Sequence, residues 1–322
     1  MNRPSEDDLI ARYFAPLAGP GALGLKDDAA LLVPPPGNEI VLTVDGLVAG
    51  VHFFADDPAD AIAKKALRVN VSDLAAKGAA PLGFLLTLAL PRDWRAEWLE
   101  SFARGLGEDA ARFDCPLLGG DTVSTPGPLT LSVTAFGAVP AGRMVRRTGA
   151  RVGDALYVSG AIGDAALGLL ARRGTMDGDG KVFLIDRYLL PQPRLALAPA
   201  LLAHASGAMD VSDGLVGDLT KMMRVSGASA HVDVARIPLS CAARAMIEAD
   251  PALLATALTG GDDYEILASV PLASAVAFEA AAGAAGVAVT RIGEVVAGDA
   301  PPLLRDARGE PMRFERGSWS HF

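Results

Sequence analysis

The apolar run at 82–90 (LGFLLTLAL) lies between Pro81 and Pro91 and has the length of one strand. No run in the sequence approaches the roughly 20 apolar residues that a bilayer-spanning helix needs. Helical patterns occur at 59–77 and 95–112, and further strand patterns occur at 40–44 and 129–139. Strand and helix patterns that alternate in this way predict a mixed α/β fold.

A polar, basic segment at 143–154 (RMVRRTGARVGD) interrupts this alternation, which then resumes. At 322 residues, the chain has room for about two domains. We therefore predict two domains, 1–145 and 146–322, with the basic segment serving as a linker or as a functional loop. In the second domain, strand patterns occur at 155–159, 230–234, 265–270 and 287–296, and the helical patterns include 193–204, 215–226 and 272–282.

Composition excludes several classes of protein. The formal net charge of −9 argues against a nucleic-acid partner, which would require a basic face. Cys115 and Cys241 are far apart, so they predict neither a disulfide framework nor a thiolate metal site, and we expect both to be buried. The N-terminus has no apolar signal core, and Ser5 with Asp8 is typical of a helix capping box. We expect a cytoplasmic protein without a membrane partner.

The familiar phosphate-binding and hydrolytic motifs are missing from the sequence. There is no GxxxxGK[ST], no kinase catalytic-loop set, no HExxH and no nucleophile elbow. The segment at 19–24 (GPGALG) matches GxGxxG but contains Pro20 and follows no clear strand, so we interpret it as a loop. The glycine loop at 159–168 (SGAIGDAALG) is either an anion cradle or a plain helix start.

Acidic residues recur beside glycine or at predicted strand ends. A single Asp-Gly is usually a turn, but this many sites favour a polynuclear metal centre. Glycine lets a metal and a phosphate approach the backbone closely, and oxygen ligands select magnesium, calcium or manganese. Two adjacent carboxylates also cost energy unless a cation lies beside them. The recurring residues are Asp27 with Asp28, Asp45, Asp73, Asp121, Asp210, Asp213, and Asp262 with Asp263.

Two further patterns leave alternatives open. Asn70, Asp73 and Lys77 share one face of an otherwise apolar helix. That face is either solvated or directs an oxygen ligand into a cleft. The segments at 43–50 (TVDGLVAG) and 211–218 (VSDGLVGD) each place Asp-Gly after a predicted strand end. The echo reflects either an internal duplication or chance.

Several segments together resemble the thiamine-monophosphate kinase family, which belongs to the ATP-binding superfamily of aminoimidazole ribonucleotide synthetase and selenophosphate synthetase. The resemblance implies an N-terminal domain that forms a dimer barrel, a C-terminal α/β domain and an active site in the cleft between them. It implies Mg2+-dependent transfer of the ATP γ-phosphoryl to thiamine monophosphate, by a homodimer. The segments are KDDAALL, TVDGLVAGVHF, NVSDLAAKGA, GGDT, VSGAIGDAALGLL, DVSDGLVGDL, GGDDYEIL and a C-terminal WSHF.

The resemblance also implies roles for single residues. No general base is implied, because a phosphate nucleophile is already ionised near neutral pH. Trp319 has a physical reason for its role, since an indole face attracts the cationic thiazolium ring. The implied metal ligands are Asp27, Asp28, Thr43, Asp45, Asp73, Asp121, Asp210 and Asp213; the ATP-binding residues are Gly120, Asp121, Ser212 and Arg147 of the Arg146-Arg147 pair; the substrate-binding residues are His52, Asp262 and Trp319.

Three positions depart from the family pattern and bear on the number of metal ions and on the thiamine pocket. Asp262 stands where the family commonly has Glu, Val44 where a hydroxyl residue often binds metal, and Ser318 separates Gly317 from the terminal aromatic residue.

Two other hypotheses remain at this point. The chain could be another ATP-dependent synthetase of the superfamily, although a selenophosphate synthetase typically has a reactive Cys or selenocysteine near its N-terminus and none precedes Cys115. Hydrogenase maturation proteins of the superfamily end in a functional cysteine, whereas this chain ends in SHF. The chain could also be a noncatalytic nucleotide or metal sensor, which the acidic residues at every motif disfavour.

Overall fold

A computed structural model describes residues 5–315 and 317–319. The chain forms two compact units. The first comprises Met1–Leu74 and Ala79–Gly142, and the second comprises Ala75–Gly78 and Arg143–Phe322. Within the described residues, no helix combines the length and the apolar character needed to cross a membrane.

The first unit is built on one mixed four-stranded sheet with the order β1-β4-β2-β3. The strand β4 is antiparallel to both β1 and β2, whereas β2 and β3 are parallel neighbours. The helix α3 connects these two parallel strands, because a parallel pair needs a long crossover connection. The elements are α1 Glu6–Leu9, β1 Asn38–Val48, α2 Ala59–Ala76, β2 Ala80–Pro91, α3 Ala96–Arg112, β3 Leu117–Thr125 and β4 Thr130–Pro140.

The two faces of this sheet differ in burial. On β1, Val41 and Leu47 are buried, as expected for residues that alternate toward a packed face. On the opposite face, Leu42 and Val44 are 62% and 61% exposed, and Val123 of β3 is 44% exposed. The first unit therefore carries an exposed apolar sheet face.

A buried ion pair joins α2 to α3. The Arg68 Nε lies 2.5 Å from the Asp109 Oδ2, and the Arg68 Nη2 lies 3.0 Å from the Asp109 Oδ1. The two residues are 4% and 2% exposed. Because the pair is bidentate, each charge is compensated inside the packed unit.

The second unit contains a six-stranded sheet with the order β10-β7-β9-β5-β8-β6. Its strands β5, β6 and β8 are buried along their whole length. The elements are β5 Ala155–Ser159, α4 Asp164–Arg172, α5 Lys181–Leu189, α6 Ala198–His204, β6 Gly207–Val211, α7 Leu215–Ser226, β7 Ser229–Asp233, α8 Cys241–Ala249, α9 Leu253–Thr259, β8 Glu265–Val270, α10 Ala275–Ala284, β9 Val289–Val296 and β10 Leu303–Arg305.

Alternate residues of β5 enter two different apolar clusters. Leu156 and Val158 pack in a cluster with Leu219 of α7. Tyr157 packs in another cluster with Phe278 of α10, and the two rings meet edge to face at 5.3 Å between centroids. Because successive side chains of a strand point to opposite faces, the sheet is covered on both sides.

The predicted mixed α/β class is confirmed, and so is the capping box of Ser5 and Asp8. The prediction that both cysteines are buried is wrong for Cys241, which is exposed at the start of α8, whereas Cys115 is buried. The sequence patterns also missed β3, α5 and β10. These three elements are short, or rich in glycine and polar residues, so they show little apolar periodicity.

Candidate functional site

The first unit contains a cavity of about 670 Å³ that three predicted site carboxylates line. They are Asp27, Asp28 and Asp121. The Asp28 amide donates to the Asp27 Oδ1 at 2.8 Å, and both aspartates lie in an exposed segment without regular structure. The cavity thus gathers oxygen donors that solvent and a charged ligand can reach. Its wall also includes Phe14, Leu85, Thr87, Gly119, Gly120, Thr134 and Phe136.

The GGDT segment lies inside β3, where the sequence patterns had predicted no strand. Gly120 is paired with Leu86 and Asp121 with Thr87, and the pairing with β2 continues to Thr125. A Cβ on Gly120 would lie 1.9 Å from the Leu86 carbonyl oxygen, so only glycine fits there. The close strand pairing therefore fixes the backbone that presents Asp121.

A second acidic group of the first unit involves β1 and α2. The Thr43 hydroxyl donates to the Asp73 carboxylate, which joins two of the predicted metal ligands. Asn70, on the same helix face, is fully buried, and its Oδ1 has no hydrogen-bond partner among the described residues. A solvated position is therefore wrong for Asn70, whereas Asp73 and Lys77 are partly exposed, so both alternatives for this face stay open.

Asp45 also lies inside a strand, in contrast to the predicted strand end. It precedes Gly46 in β1, and Gly46 is level with Ser132, Thr87 and Asp121 across the sheet. Asp45 and Asp121 therefore stand at opposite edges of the sheet, separated by three strand spacings, or about 14 Å. Magnesium holds its ligands at about 2.1 Å, so these two carboxylates do not bind the same ion within one chain.

The echo between 43–50 and 211–218 does not correspond to a shared local structure. Asp45 and Gly46 continue β1 because β4 pairs with them. Asp213 and Gly214, in contrast, form a loop between β6 and α7.

His52 lies in the turn that follows β1. Its Nδ1 accepts a hydrogen bond from the Val48 amide at 3.0 Å, and its carbonyl oxygen accepts from the Lys65 Nζ at 3.2 Å. His52 therefore closes the turn at the end of β1. Its contact with a substrate stays a prediction.

In the second unit, five predicted residues assemble at or around the loop at 211–214. The Asp262 amide donates to the Ser212 carbonyl oxygen at 2.8 Å, and the Trp319 amide donates to the Asp213 carbonyl oxygen at 3.0 Å. Asp210 comes directly before this loop on β6 and is 5% exposed. The structure thus brings together residues that the resemblance had assigned to metal, nucleotide and substrate.

Two glycines permit this close assembly. Gly261 has a φ of +77°, and a Cβ there would lie 2.3 Å from the Ser212 carbonyl oxygen. A Cβ on Gly217 of α7 would lie 2.2 Å from the Ser318 Cβ, so the segment that carries Trp319 rests on the helix at a glycine. The rest of the WSHF motif, 320–322, lies outside the described residues.

Arg147 does not join this assembly. It is exposed, and its carbonyl oxygen accepts from the Ser226 hydroxyl at 3.2 Å. Ser226 ends α7, whereas Ser212 precedes the start of this 12-residue helix, which is about 18 Å long. The Arg147 backbone is therefore anchored at the far end of the helix from Ser212, and its nucleotide contact stays a prediction.

Sequence reasoning missed two residues that shape this loop. Asp218 is fully buried, and its Oδ2 accepts from the amides of Ser212 and Asp213 at 2.9 and 2.8 Å. The Lys221 Nζ lies 2.9 Å from the Asp218 Oδ1 and forms an ion pair with Asp213. Burial raises the pKa of Asp218, and the hydrogen bond from Lys221 opposes that shift. The spacing of three residues between Asp218 and Lys221 on one helix was the available signal.

The glycine loop after β5 starts a helix, as one of the two alternatives predicted. Asp263 is buried, and its carboxylate accepts from the amides of Gly163 and Ala165 at 2.8 and 3.3 Å. The start of α4 is therefore already capped by a carboxylate of the chain itself. This favours a plain helix start over an anion cradle.

A second cavity, of about 380 Å³, adjoins this loop in the second unit. An ion pair lies in its wall, with the Arg194 Nε 2.7 Å from the Glu265 Oε2. Asp164 also lines it, is 5% exposed, and accepts from the Ser240 hydroxyl at 2.5 Å. Burial raises the pKa of Asp164 above its ordinary value of 3.8, against the effect of the Ser240 hydrogen bond.

This shift predicts a pH dependence of stability. Asp164 holds its proton to higher pH in the folded chain than in the unfolded chain. Its contribution to the free energy of unfolding is therefore complete below about pH 4. That contribution is lost as the pH rises through the raised pKa, and the free energy of unfolding should fall over this range. Urea unfolding, measured from about pH 4 upward through the raised pKa, should show that the free energy of unfolding falls less with pH in Asp164→Asn than in the wild type. The matched control is Asp299→Asn at an exposed position, and identical slopes for Asp164→Asn and the wild type would contradict the prediction.

The described residues contain no group of three or more His, Cys, Asp or Glu side chains that could hold a metal ion. The donors occur instead as small groups: the aspartates of the first cavity, Thr43 with Asp73, and Asp210 and Asp213 near the 211–214 loop. Magnesium commonly takes one or two protein carboxylates and completes its shell with water and substrate phosphates. The donor set therefore fits magnesium carried with a nucleotide better than a preformed protein cage.

Two family matches cover most of the chain. Residues 26–139 match the AIR synthase related protein, N-terminal domain, and residues 151–303 match the AIR synthase related protein, C-terminal domain. Each match lies within the sequence of one predicted domain.

Relatives of known name are similar along the whole chain. The thiamine-monophosphate kinase of Caulobacter vibrioides is 46% identical over 99% of this chain and 91% of its own length. The crystal structure of thiamine-monophosphate kinase from Stenotrophomonas maltophilia has a TM-score of 0.81 at 39% identity, covering 89% of this chain and 91% of that one. The structure of AaThiL complexed with AMPPCP and TMP has a TM-score of 0.78 at 31% identity, covering 92% of this chain and 91% of that one.

Proposed function

The chain belongs to the thiamine-monophosphate kinase family of AIR synthase related proteins, and we propose on this basis that it transfers the γ-phosphoryl of ATP to thiamine monophosphate. The products are thiamine diphosphate and ADP. The proposal rests on the similarity of the whole chain to thiamine-monophosphate kinases. The related structure AaThiL is complexed with the ATP analogue AMPPCP and with TMP. The chain is thus an ATP-dependent kinase of thiamine biosynthesis.

Both reacting groups are anionic, so the chain must supply positive charge or hold cations. Bound magnesium would neutralise the phosphates and align them for in-line transfer. We assign its ligands to Asp27, Asp28 and Asp121 at the first cavity, to Thr43, Asp45 and Asp73 near β1 and α2, and to Asp210 and Asp213 beside the 211–214 loop. Gly120 and Ser212 offer backbone and hydroxyl groups to the nucleotide, and the exposed Arg147 offers a guanidinium to its phosphates.

The substrate side of the proposal rests on Trp319, Asp262 and His52. The backbone contacts of the 211–214 loop hold Asp262 and Trp319, so a substrate that reaches one lies near the other. Trp319 is 39% exposed, so a cationic ring can reach part of this residue from solvent. Asp262 is one methylene shorter than the usual Glu, and therefore reaches a shorter distance toward the substrate.

Replacing Trp319 with Ala should raise the Michaelis constant for thiamine monophosphate about 5- to 30-fold, the loss expected for a cation–π contact of 1 to 2 kcal/mol. The maximal rate should change less, because stacking holds substrate and transition state alike. Steady-state kinetics of Trp319→Ala, Trp319→Phe and Trp94→Ala would test this, with Trp94 as a partly exposed tryptophan of the first unit. An unchanged Michaelis constant in Trp319→Ala would exclude the stacking role.

A homodimer is part of the proposal. The exposed apolar side chains Leu42, Val44 and Val123 lie on one face of the first sheet, where a second copy would bury them. Val44 replaces a hydroxyl ligand of the family pattern and is exposed on this same face.

The proposal also includes the division into two domains, 1–145 and 146–322. It includes a cytoplasmic location, where ATP is available.

Phosphorus NMR of the purified protein with ATP, Mg2+ and thiamine monophosphate tests the activity directly. Thiamine diphosphate and ADP should appear together, and neither should form when thiamine monophosphate is omitted. Intact ATP would favour a noncatalytic nucleotide or metal sensor. Consumption of ATP without thiamine diphosphate would favour another ATP-dependent synthetase of the superfamily.

A further inference from the structure

The loop at 211–214 is tied to α7 by one buried carboxylate. Both loop amides that face Asp218, those of Ser212 and Asp213, donate to the same oxygen, Oδ2, at 2.9 and 2.8 Å. Asp218 is fully buried and lies in the first turn of α7. A helix is rigid on the scale of a side chain, so this contact fixes where the Ser212 and Asp213 backbone lies.

Lys221 lies one turn further along the same helix and contacts two carboxylates. Its Nζ is 2.9 Å from the Asp218 Oδ1 and also pairs with Asp213. The side chains of Lys221 and Asp213 are 31% and 38% exposed, whereas that of Asp218 is 0% exposed. A cation that arrives from solvent can therefore reach Asp213, while Asp218 is closed to it.

The charges of Asp213, Asp218 and Lys221 differ in role because solvent reaches Asp213 and Lys221 but not Asp218. Two carboxylates and one ammonium leave a local charge of about −1 when all are ionised. Lys221 compensates Asp213 without blocking it, since a partly exposed ion pair is weak and can exchange. A divalent ion brings twice the charge of the ammonium and competes for the same carboxylate oxygen.

We propose that Asp218 is the positioning residue of the 211–214 loop, and that Lys221 is an exchangeable counter-ion that holds Asp213 until a magnesium–nucleotide complex replaces it. This inference rests on the proposed function, because it concerns how the chain prepares for the nucleotide. Neither residue touches the reacting atoms in this account. Asp218 acts through Ser212 and Asp213, and Lys221 acts through Asp213.

Binding of Mn2+ alone, measured by electron paramagnetic resonance without nucleotide, tests the role of Lys221. Lys221→Met should bind Mn2+ at Asp213 about 3- to 10-fold more tightly than the wild type, because one nearby positive charge is gone. Lys221→Arg should behave as the wild type. The gain should vanish when Lys221→Met is combined with Asp213→Asn. Unchanged or weaker Mn2+ binding in Lys221→Met would overturn the counter-ion role.

Trp319 reports on the role of Asp218, because its amide donates to the Asp213 carbonyl oxygen. The chain has three tryptophans, so Trp94→Phe with Trp98→Phe leaves Trp319 as the only tryptophan, whose emission can be excited selectively. In that background, Asp218→Ala should shift the Trp319 emission to longer wavelength and weaken Mn2+ binding at Asp213 several-fold. Asp218→Asn, which keeps one acceptor oxygen, should restore part of both properties.

Asp250→Ala is the matched control, since Asp250 is an exposed carboxylate of the second unit that accepts from the Ala252 amide at 3.0 Å. It should change neither readout. If Asp218→Ala only lowered the unfolding temperature, with wild-type emission and Mn2+ binding, the positioning role would be wrong. These readouts do not use turnover, so they are independent of the phosphorus NMR result for the wild type.

Discussion

Asp121→Asn is expected to lower turnover at least about 100-fold while leaving the fold unchanged. Its carboxylate lines the first cavity, and its backbone is held in β3 by pairing with β2, which asparagine preserves. The substitution therefore removes a negative charge and little else. Loss of one preorganised electrostatic group at a reacting centre typically costs about 10²- to 10³-fold in rate. Asp45→Asn should have the same effect from the opposite edge of the sheet.

The measurement is the initial rate of ADP release at saturating ATP and thiamine monophosphate, with circular dichroism to confirm folding. Asp93→Asn is the matched control, because Asp93 is an exposed aspartate of the first unit just beyond β2. It should retain wild-type turnover. Full activity in Asp121→Asn would refute its assignment as a metal ligand.

Asp109→Ala is expected to lower the free energy of unfolding by about 3 to 5 kcal/mol, because it removes the carboxylate that pairs with the buried Arg68 guanidinium. Arg68 is 4% exposed, so water cannot replace the lost carboxylate. The double variant Arg68→Leu with Asp109→Leu should recover part of this loss, since it removes both charges together. Urea unfolding at neutral pH measures the difference.

Glu108 provides the control on the same helix as Asp109, because its side chain is 47% exposed. It lies 3.2 Å from Arg104 and 2.6 Å from Lys64. Glu108→Ala should cost about 1 kcal/mol or less, because solvent screens the charge of Glu108 and no buried cation loses its bidentate partner. The prediction for Asp109→Ala would be wrong if its loss were as small as that of Glu108→Ala.

Regular apolar patterns predicted much of the fold. The helix at 215–226 and the strands at 155–159 and 265–270 were predicted with the bounds that the structure has. These elements are buried, so their apolar residues follow the periods of a helix or a strand. β3 was missed, since its glycines and its polar residues carry no such period, and its strand structure comes from pairing with β2.

The candidate site was predictable as a set of residues but not as a geometry. The position of the acidic residues beside a glycine or at a predicted strand end indicated which carboxylates to consider, and the resemblance gave them roles. Contacts such as the one between Thr43 and Asp73, or between Asp218 and the loop amides, join residues through tertiary packing that no local pattern records. Cys241 shows the same limit, because its exposure depends on what packs against α8.

The strand order of the first sheet allows a test of whether one active site uses residues from two subunits. Asp45 and Asp121 stand at opposite edges of the sheet and do not share one ion within a chain. In the proposed homodimer, we infer that Asp45 of one chain and Asp121 of the other serve one nucleotide. Asp45→Asn and Asp121→Asn would each be inactive. If the proposed homodimer forms and its subunits exchange at random, half of the dimers would carry one copy of each variant, and each of these would have one site free of both substitutions. Mixing the two inactive proteins would then restore about a quarter of wild-type turnover, as intersubunit complementation.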